Sequence, residues 1–323
     1  MAEQQDGLPN WTSSAQSCCR KMGAKMTDTG ATYVSGQTDL YAALRLVAAQ
    51  GAKLPELMAA LDSGDSLAQE TAQRLRSVDQ GLLEAVMRRG RGLAATQAEI
   101  TVRPFLAACR PASLFAPDPA QAKTTALLTA GQRPDMPAFS DRAFDAWFQA
   151  QNVDYGLGAY GEKRSVYQTA QFADAASPER RTVHTGIDIF APAMTPVFAP
   201  LAGVVKYLTY NADPLDYGHT LILQHEADGV PFFSLYGHLA HSLPQLLGVG
   251  AKVQAGQHIA DLGDWHENGG WAAHIHFQIM TDMLDQKGGN FYGVGHESLW
   301  DVWREICIDP NLVLRIPPEK FMV

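Results

Sequence analysis

The chain has 323 residues, 46% hydrophobic and 18% charged, enough for one large or two ordinary domains with self-sufficient cores and too apolar for wholesale disorder. A formal net charge of -9 argues against a nucleic-acid partner, which needs a basic face to replace phosphate counterions. Cys18, Cys19, Cys109 and Cys307 form no CxxC pair and are too few for a disulfide scaffold, and no stretch reaches the ~18 apolar residues of a membrane span.

Residues 1–36 are polar and without a sustained period, which predicts a loose arm. The start "MAEQQDGLPNWTSSAQ" lacks the basic-then-apolar pattern of an export signal, so the expectation is a cytoplasmic protein, or one of the cell envelope if exported by another route. Adjacent Cys18 and Cys19 in this arm carry no expected redox role.

A helical N-terminal domain is predicted over 37–135. "TDLYAALRLVAAQG" puts Leu40, Leu44 and Val47 on one stripe, with Thr38 as cap and Gly51 as stop. "SLAQETAQRLRSVDQGLLEAVMRRG" repeats the pattern through Leu67, Leu75, Val78, Leu82 and Val86, and the basic "RRGRG" reads as the charged end of a helix. Close-set Pro and Gly between about 110 and 135 mark a long connection. Residues 136–180 form a linker with a short helix at "SDRAFDAWFQAQN", capped by Ser140, whose Phe144, Trp147 and Phe148 supply a docking patch.

After residue 180 the period becomes two: "VHTGIDIF", "GVVKYLTY", "HTLILQHE", "VPFFSLYGHL" and "AHIHFQIM" are short strands separated by turn residues. No helix-length pattern alternates with them, so an antiparallel sheet is expected and the fold class is α+β. All ten histidines lie from His184 to His296, which assigns the chemistry to this half. A domain over 181–283 and a C-terminal extension over 284–323 complete the division.

Strand alternation places His274, His276 and Gln278 on one face of "AHIHFQI" and Ile275, Phe277 and Ile279 on the other; a lone HxH could also be a solvent-facing polar stripe. His184 and Asp188 are harder to join. Four residues of straight strand cover roughly 13 Å, whereas donors on one zinc lie roughly 3 to 3.5 Å apart. The stretch "HTGID" must therefore bend at Gly186 if both are to meet one ion. Two imidazoles and a carboxylate suit Zn2+ and leave a fourth position for water, which zinc can activate for amide hydrolysis. His238 and His274 are the spare pair for proton transfer and oxyanion stabilisation. His219, His225, His241, His258 and His296 have no partner motif and read as packing or surface residues, with His266 and Glu267 intermediate.

"HTGIDIFAPAMTPVFAPLAGVV", "YGHL" and "HIHFQI", in this order over about 181–281, resemble the lysostaphin/LytM-type zinc metallopeptidases with their HxGxD, YxHL and HLHF motifs. The resemblance implies zinc held by His184, Asp188 and His276, catalytic His238 and His274, an antiparallel β groove of the duplicated-hybrid-motif kind, and a glycine-containing or peptidoglycan-type peptide substrate. The usual Gly-Thr-Pro-Val turn reads Ala193, Met194, Thr195, Pro196, Val197 here, and "DWHENGGWAA" replaces the usual approach to the last motif, bordering the cleft. "GAYGEKRSVYQTAQF", "GDWHENGGW" and "DPNLVL" look like a subfamily found in larger cytosolic proteins beside class III aminotransferase-like domains, which would favour a small amide or peptide substrate over cell wall. A non-catalytic or regulatory peptide-binding module of the same fold, and an N-terminal unit acting as an inhibitory segment, are the alternatives.

Overall fold

Among the described residues short apolar runs broken by turn residues form thirteen strands, and the expected strands appear where the period of two placed them. The computed structural model describes residues 29–128, 133–167 and 169–322. Contacts divide the chain into two units, the described parts of 1–93 with 175–177 and of 94–174 with 178–323. The arm expected over 1–36 falls outside the described residues as far as 28, as do Cys18 and Cys19, while residues 29–34 are helical.

Unit one carries helices α1 (Leu40–Ala49), α2 (Leu54–Ser63), α3 (Ser66–Arg76) and α4 (Gln80–Gly90). Asp39, Asp65 and Asp79 precede α1, α3 and α4, and each carboxylate accepts the backbone N–H of the third residue on, Ala42, Ala68 and Leu82, at 3.0 Å. A carboxylate satisfies an orphan donor and complements the positive end of the helix dipole. Asp39 therefore caps α1 in place of Thr38, and the cap at Asp79 splits the periodic stretch from Ser66 to Gly90 into two helices. Leu40, Leu44, Leu75, Leu82 and Val86 are buried as expected, Leu67 is exposed, and Arg88 and Arg89 occupy the last turn of α4.

In unit two the strands are β1 (Thr124–Ala126), β2 (Tyr155–Gly158), β3 (Val183–His184), β4 (Ile187–Phe190), β5 (Pro196–Phe198), β6 (Gly203–Asn211) and β7 (Gly218–Ala227). They continue as β8 (Val230–Leu239), β9 (Lys252–Val253), β10 (His258–Asp261), β11 (His274–Met280), β12 (Val294–Gly295) and β13 (Cys307–Ile308). The main sheet runs β1-β2-β4-β11-β8-β7-β6-β9, with β13 pairing β11 beside β4. Every pairing is antiparallel except β1 with β2. Helix α5 (Glu99–Ala108) buries Val102 and Leu106 in the core of this unit, so the helical region expected as far as 135 gives its last helix to unit two.

Ile275, Phe277 and Ile279 of β11 enter the main core with Leu221, Leu223, Phe232 and Tyr236. A smaller aromatic cluster forms around Phe190 of β4. Phe144 of α6 (Ala143–Ala150) lies 5.2 Å from the Phe190 ring and 5.4 Å from Phe139, so the expected docking patch packs inside unit two. Asp141 rather than Ser140 receives the N–H of Ala143 at the start of that helix.

Candidate metal centre and active site

Register places the polar residues. In the antiparallel ladder His276 of β11 pairs with Asp188 on one side and Gly237 on the other, so His276 and Asp188 share a face as cross-strand neighbours. His184 reaches them from a different pairing. The chain leaves β3, where His184 pairs with Val294, bends at Gly186, and enters β4. Glycine is required there by close approach rather than by a left-handed φ: a Cβ would lie 2.6 Å from Cε1 and Nε2 of His276 and 2.9 Å from the Phe277 carbonyl.

His184 Nε2 and His276 Nδ1 lie 3.0 Å apart, and Asp188 Oδ1 sits 3.0 Å from His276 Nδ1 and 3.2 Å from His184 Nε2. His184 Nδ1 donates to the Ala159 carbonyl at 2.9 Å, and His276 Nε2 donates to Gln278 Oε1 at 2.8 Å. Gln278 is itself oriented, since its amide nitrogen donates to the Tyr292 carbonyl and to Cys307 Sγ. With the outer N–H of each ring committed, three lone-pair atoms face one another in a buried site. Three acceptors at this spacing repel unless a cation joins them. Burial, followed by the charge of Arg164, pushes the His184 imidazole towards its neutral form. Burial opposes the Asp188 carboxylate, yet His184 and Arg164 hold its pKa well below the usual range.

Arg164, which the sequence reading left without a role inside "GAYGEKRSVYQTAQF", is 3% exposed. Its Nη1 donates to Asp188 Oδ2 at 2.7 Å and its Nε to Glu162 Oε2 at 3.0 Å. Asp188 thus keeps Oδ1 for the cluster and gives Oδ2 to the guanidinium. A sequence signal for this was weak, because Arg164 lies 24 residues before its partner. Gln278, by contrast, was legible from strand alternation with His276.

His238 and His274 form the second pair, with ring centroids 4.2 Å apart. His238 has φ 63°, and the β7–β8 register shifts between His219 and Leu221, giving β8 an extra residue there. Such a bulge re-aims one side chain at an energetic cost of about 1–3 kcal/mol. His238 Nδ1 donates to the Asn268 carbonyl at 2.8 Å and His274 Nδ1 to the Ala272 carbonyl at 2.7 Å, leaving both Nε2 atoms as bases. Burial lowers both pKa values, that of His274 to about 4, and the neighbouring His274 adds to the depression at His238. The Phe190 ring stacks on His274 at 4.5 Å, and Tyr217 lies 5.6 Å from His238 and 5.1 Å from His276.

Asp188, His238, His274 and His276 line one cavity of about 270 Å³. Trp271 lines it too, so the "DWHENGGWAA" loop borders it while Asn268 and Ala272 orient the two histidines. The other histidines serve elsewhere. His225 is buried between the Ala202 carbonyl and Ser234, His241 pairs with Glu267, His258 with Asp261, and His266 is exposed.

A family model described as peptidase family M23 matches residues 182–288, which carry His184, Asp188, His238, His274 and His276. Residues 182–288, here the M23 domain, are thus similar to peptidase family M23 over a segment shorter than half of the chain. Over 94 residues, 29% of this chain, the sequence is 34% identical to the uncharacterized lipoprotein YgeR of Escherichia coli (strain K12), and it spans about a third of that relative's length. Among solved structures, the catalytic domain of lysostaphin from Staphylococcus simulans is 23% identical, with 48% of this chain and 96% of that one covered and a TM-score of 0.30. A zinc containing peptidase from Vibrio cholerae is 27% identical over 31% of this chain and 28% of that one, with a TM-score of 0.26. The likeness to family M23 rests on the sequence match. The M23 domain begins beside β3 and ends before β12, so Arg164 lies outside it. Among the described residues no helix is long and apolar enough to cross a membrane.

Proposed function

We propose that the chain is a zinc-dependent metallopeptidase that hydrolyses a peptide amide bond of a glycine-containing or peptidoglycan-type substrate. The observation that carries this reading is the cluster of three lone-pair atoms at 3.0–3.2 Å, beside two imidazoles whose Nε2 atoms are bare. Two imidazole nitrogens and one carboxylate oxygen fit zinc and leave a coordination position open. Zinc held by His184, Asp188 and His276 would polarise the scissile carbonyl and acidify a water.

The remaining chemistry belongs to the protein. Neutral at pH 7, one of His238 and His274 takes a proton from the attacking water through Nε2 as the water oxygen bonds the carbonyl carbon. The same proton passes to the amine nitrogen as the C–N bond breaks. The other imidazole, also neutral with its Nε2 bare, accepts from the second O–H of the attacking water and orients it. Both stay aligned because their Nδ1–H groups are held by main-chain carbonyls. Arg164 and Gln278 hold Asp188 and His276 in place. A peptidoglycan substrate calls for an envelope location, and the lipoprotein in the name of the Escherichia coli relative supports it.

The test is zinc content together with hydrolysis of pentaglycine and purified peptidoglycan, for the wild type, His184→Ala and His274→Ala. Zinc near one equivalent, lost in His184→Ala and retained with activity lowered at least 100-fold in His274→Ala, is the expected result. Undiminished zinc in His184→Ala overturns the ligand assignment, and a wild type that neither binds zinc nor hydrolyses any of these substrates supports a peptide-binding module.

A further inference from the structure

The cavity that holds the polar cluster has aromatic walls. Phe139, Tyr167, Phe172, Tyr217, Trp271 and Tyr292 all line it. Phe139, Tyr217 and Trp271 are 7%, 7% and 6% exposed and serve as packed backing. Tyr167, Phe172 and Tyr292 are only partly buried. Tyr167 and Phe172 meet edge to face at 4.7 Å, and the Arg181 guanidinium lies 5.0 Å from the centre of the Tyr292 ring, so these side chains are held by neighbours while part of their surface stays open.

From these walls we infer that the site takes a peptide with a bulky apolar or aromatic side chain beside the scissile bond, rather than an all-glycine strand. The inference rests on the peptidase reading above. An all-glycine chain offers no side chain to remove this apolar surface from water, whereas an aromatic one buries roughly 150–250 Å². The cavity of about 270 Å³ lies just below the ~300–1,000 Å³ of typical small-molecule sites, room for one large side chain and its backbone. The occupant is tied to the reaction by continuity, since Asp188, His238, His274 and His276 line the same cavity.

The source of the walls points the same way. Phe139, Tyr167, Phe172 and Tyr292 lie outside residues 182–288, so these rings are additions from flanking segments to the peptidase domain. Phe172 sits in a short 3-10 turn (Ala170–Phe172), where its backbone carbonyl accepts from Arg181 and its side chain can be changed without removing a strand or a core residue.

The experiment compares quenched fluorescent pentaglycine with otherwise identical peptides in which the central residue is Phe or Leu, using the zinc-loaded full chain. Wild type is expected to show kcat/KM at least tenfold higher for the Phe peptide than for pentaglycine. Phe172→Ala is expected to lower the ratio of kcat/KM for the Phe peptide to that for pentaglycine at least fivefold, while Phe172→Leu restores at least half of the wild-type ratio. Pentaglycine cleaved as well as the Phe peptide, or both lowered equally by Phe172→Ala, overturns the inference and leaves the peptidase reading standing. If no peptide is cut, the peptidase reading fails, and calorimetric binding decides the subsite by itself. Tenfold tighter binding of the Phe peptide that Phe172→Ala abolishes then supports the subsite, and equal binding of both peptides overturns it.

Discussion

Unit one and the M23 domain handle polar groups in opposite ways. In unit one the capping carboxylates act locally, since Asp39, Asp65 and Asp79 each bond a backbone N–H three residues away, while Arg74 reaches farther, to the carbonyls of Gln37, Thr38 and Ala175. In the M23 domain the polar side chains of the site act at long range. His184 meets His276 across 92 residues, Asp188 meets His276 across 88, and His238 is oriented by Asn268 across 30. A local cap adds stability to one helix. A long-range network of buried polar groups adds a demand for a cation and is costly to break at any point.

The comparison is broken most directly at Asp188. Asp188→Ala removes a ligand atom from the cluster and leaves the buried Arg164 with Glu162 as its carboxylate partner. Loss of bound zinc and a destabilisation of about 3–5 kcal/mol are expected, read by metal analysis and urea unfolding. A variant that keeps its metal and its unfolding midpoint would show that the network is not held together as argued.

Gly186→Ala is the next largest. The added Cβ would sit 2.6 Å from the His276 ring, so the ring must move. Overpacking of this kind costs about 1–3 kcal/mol, and zinc affinity is expected to fall at least tenfold, measured by competition with a chelating dye.

His225 sharpens the contrast from within the sheet, away from the cluster. Burial pushes its pKa down to about 4 from an ordinary 6.5, so as pH falls the unfolded chain takes up the proton first. Its contribution is complete above about pH 6.5 and is lost as pH falls from there through about 4. Between pH 6.5 and 5 the loss is about 1.5 kcal/mol at 1.36 kcal/mol per unit, because the unfolded imidazole is already half protonated at pH 6.5. His225→Gln is expected to flatten that part of the pH dependence, compared by denaturant midpoints at the two pH values.

The smallest effect belongs to unit one. Asp79→Ala should cost about 1 kcal/mol, seen as faster amide exchange in α4, with zinc content unchanged. A change in zinc content on losing this cap would contradict the local action assigned to it.

Legibility followed the same division. Helices with regular stripes and strands with a period of two were readable because each is a local pattern, and HIHF revealed its polar face because alternation is local as well. The helix start at Asp39 was misplaced by one residue because Thr38 and Asp39 are both capping types, and only backbone geometry selects between them. The break between α3 and α4 was missed for a related reason, since the apolar stripe continues across it while Asp79 reaches back to start a new helix.

By itself the sequence determined the α+β class and the half of the chain that carries the histidines, and it singled out five residues for a candidate site and a bend at Gly186. The tertiary structure decided what the bend is for, because the contact of Gly186 with His276 joins positions 90 residues apart. It also decided which nitrogen of each imidazole faces the cluster, that Arg164 takes one oxygen of Asp188, and that rings from outside the M23 domain wall the cavity. Apart from the bond of His276 to Gln278 two residues on, hydrogen bonds and side-chain packing between distant segments set these, and such pairings leave no periodic trace along the chain.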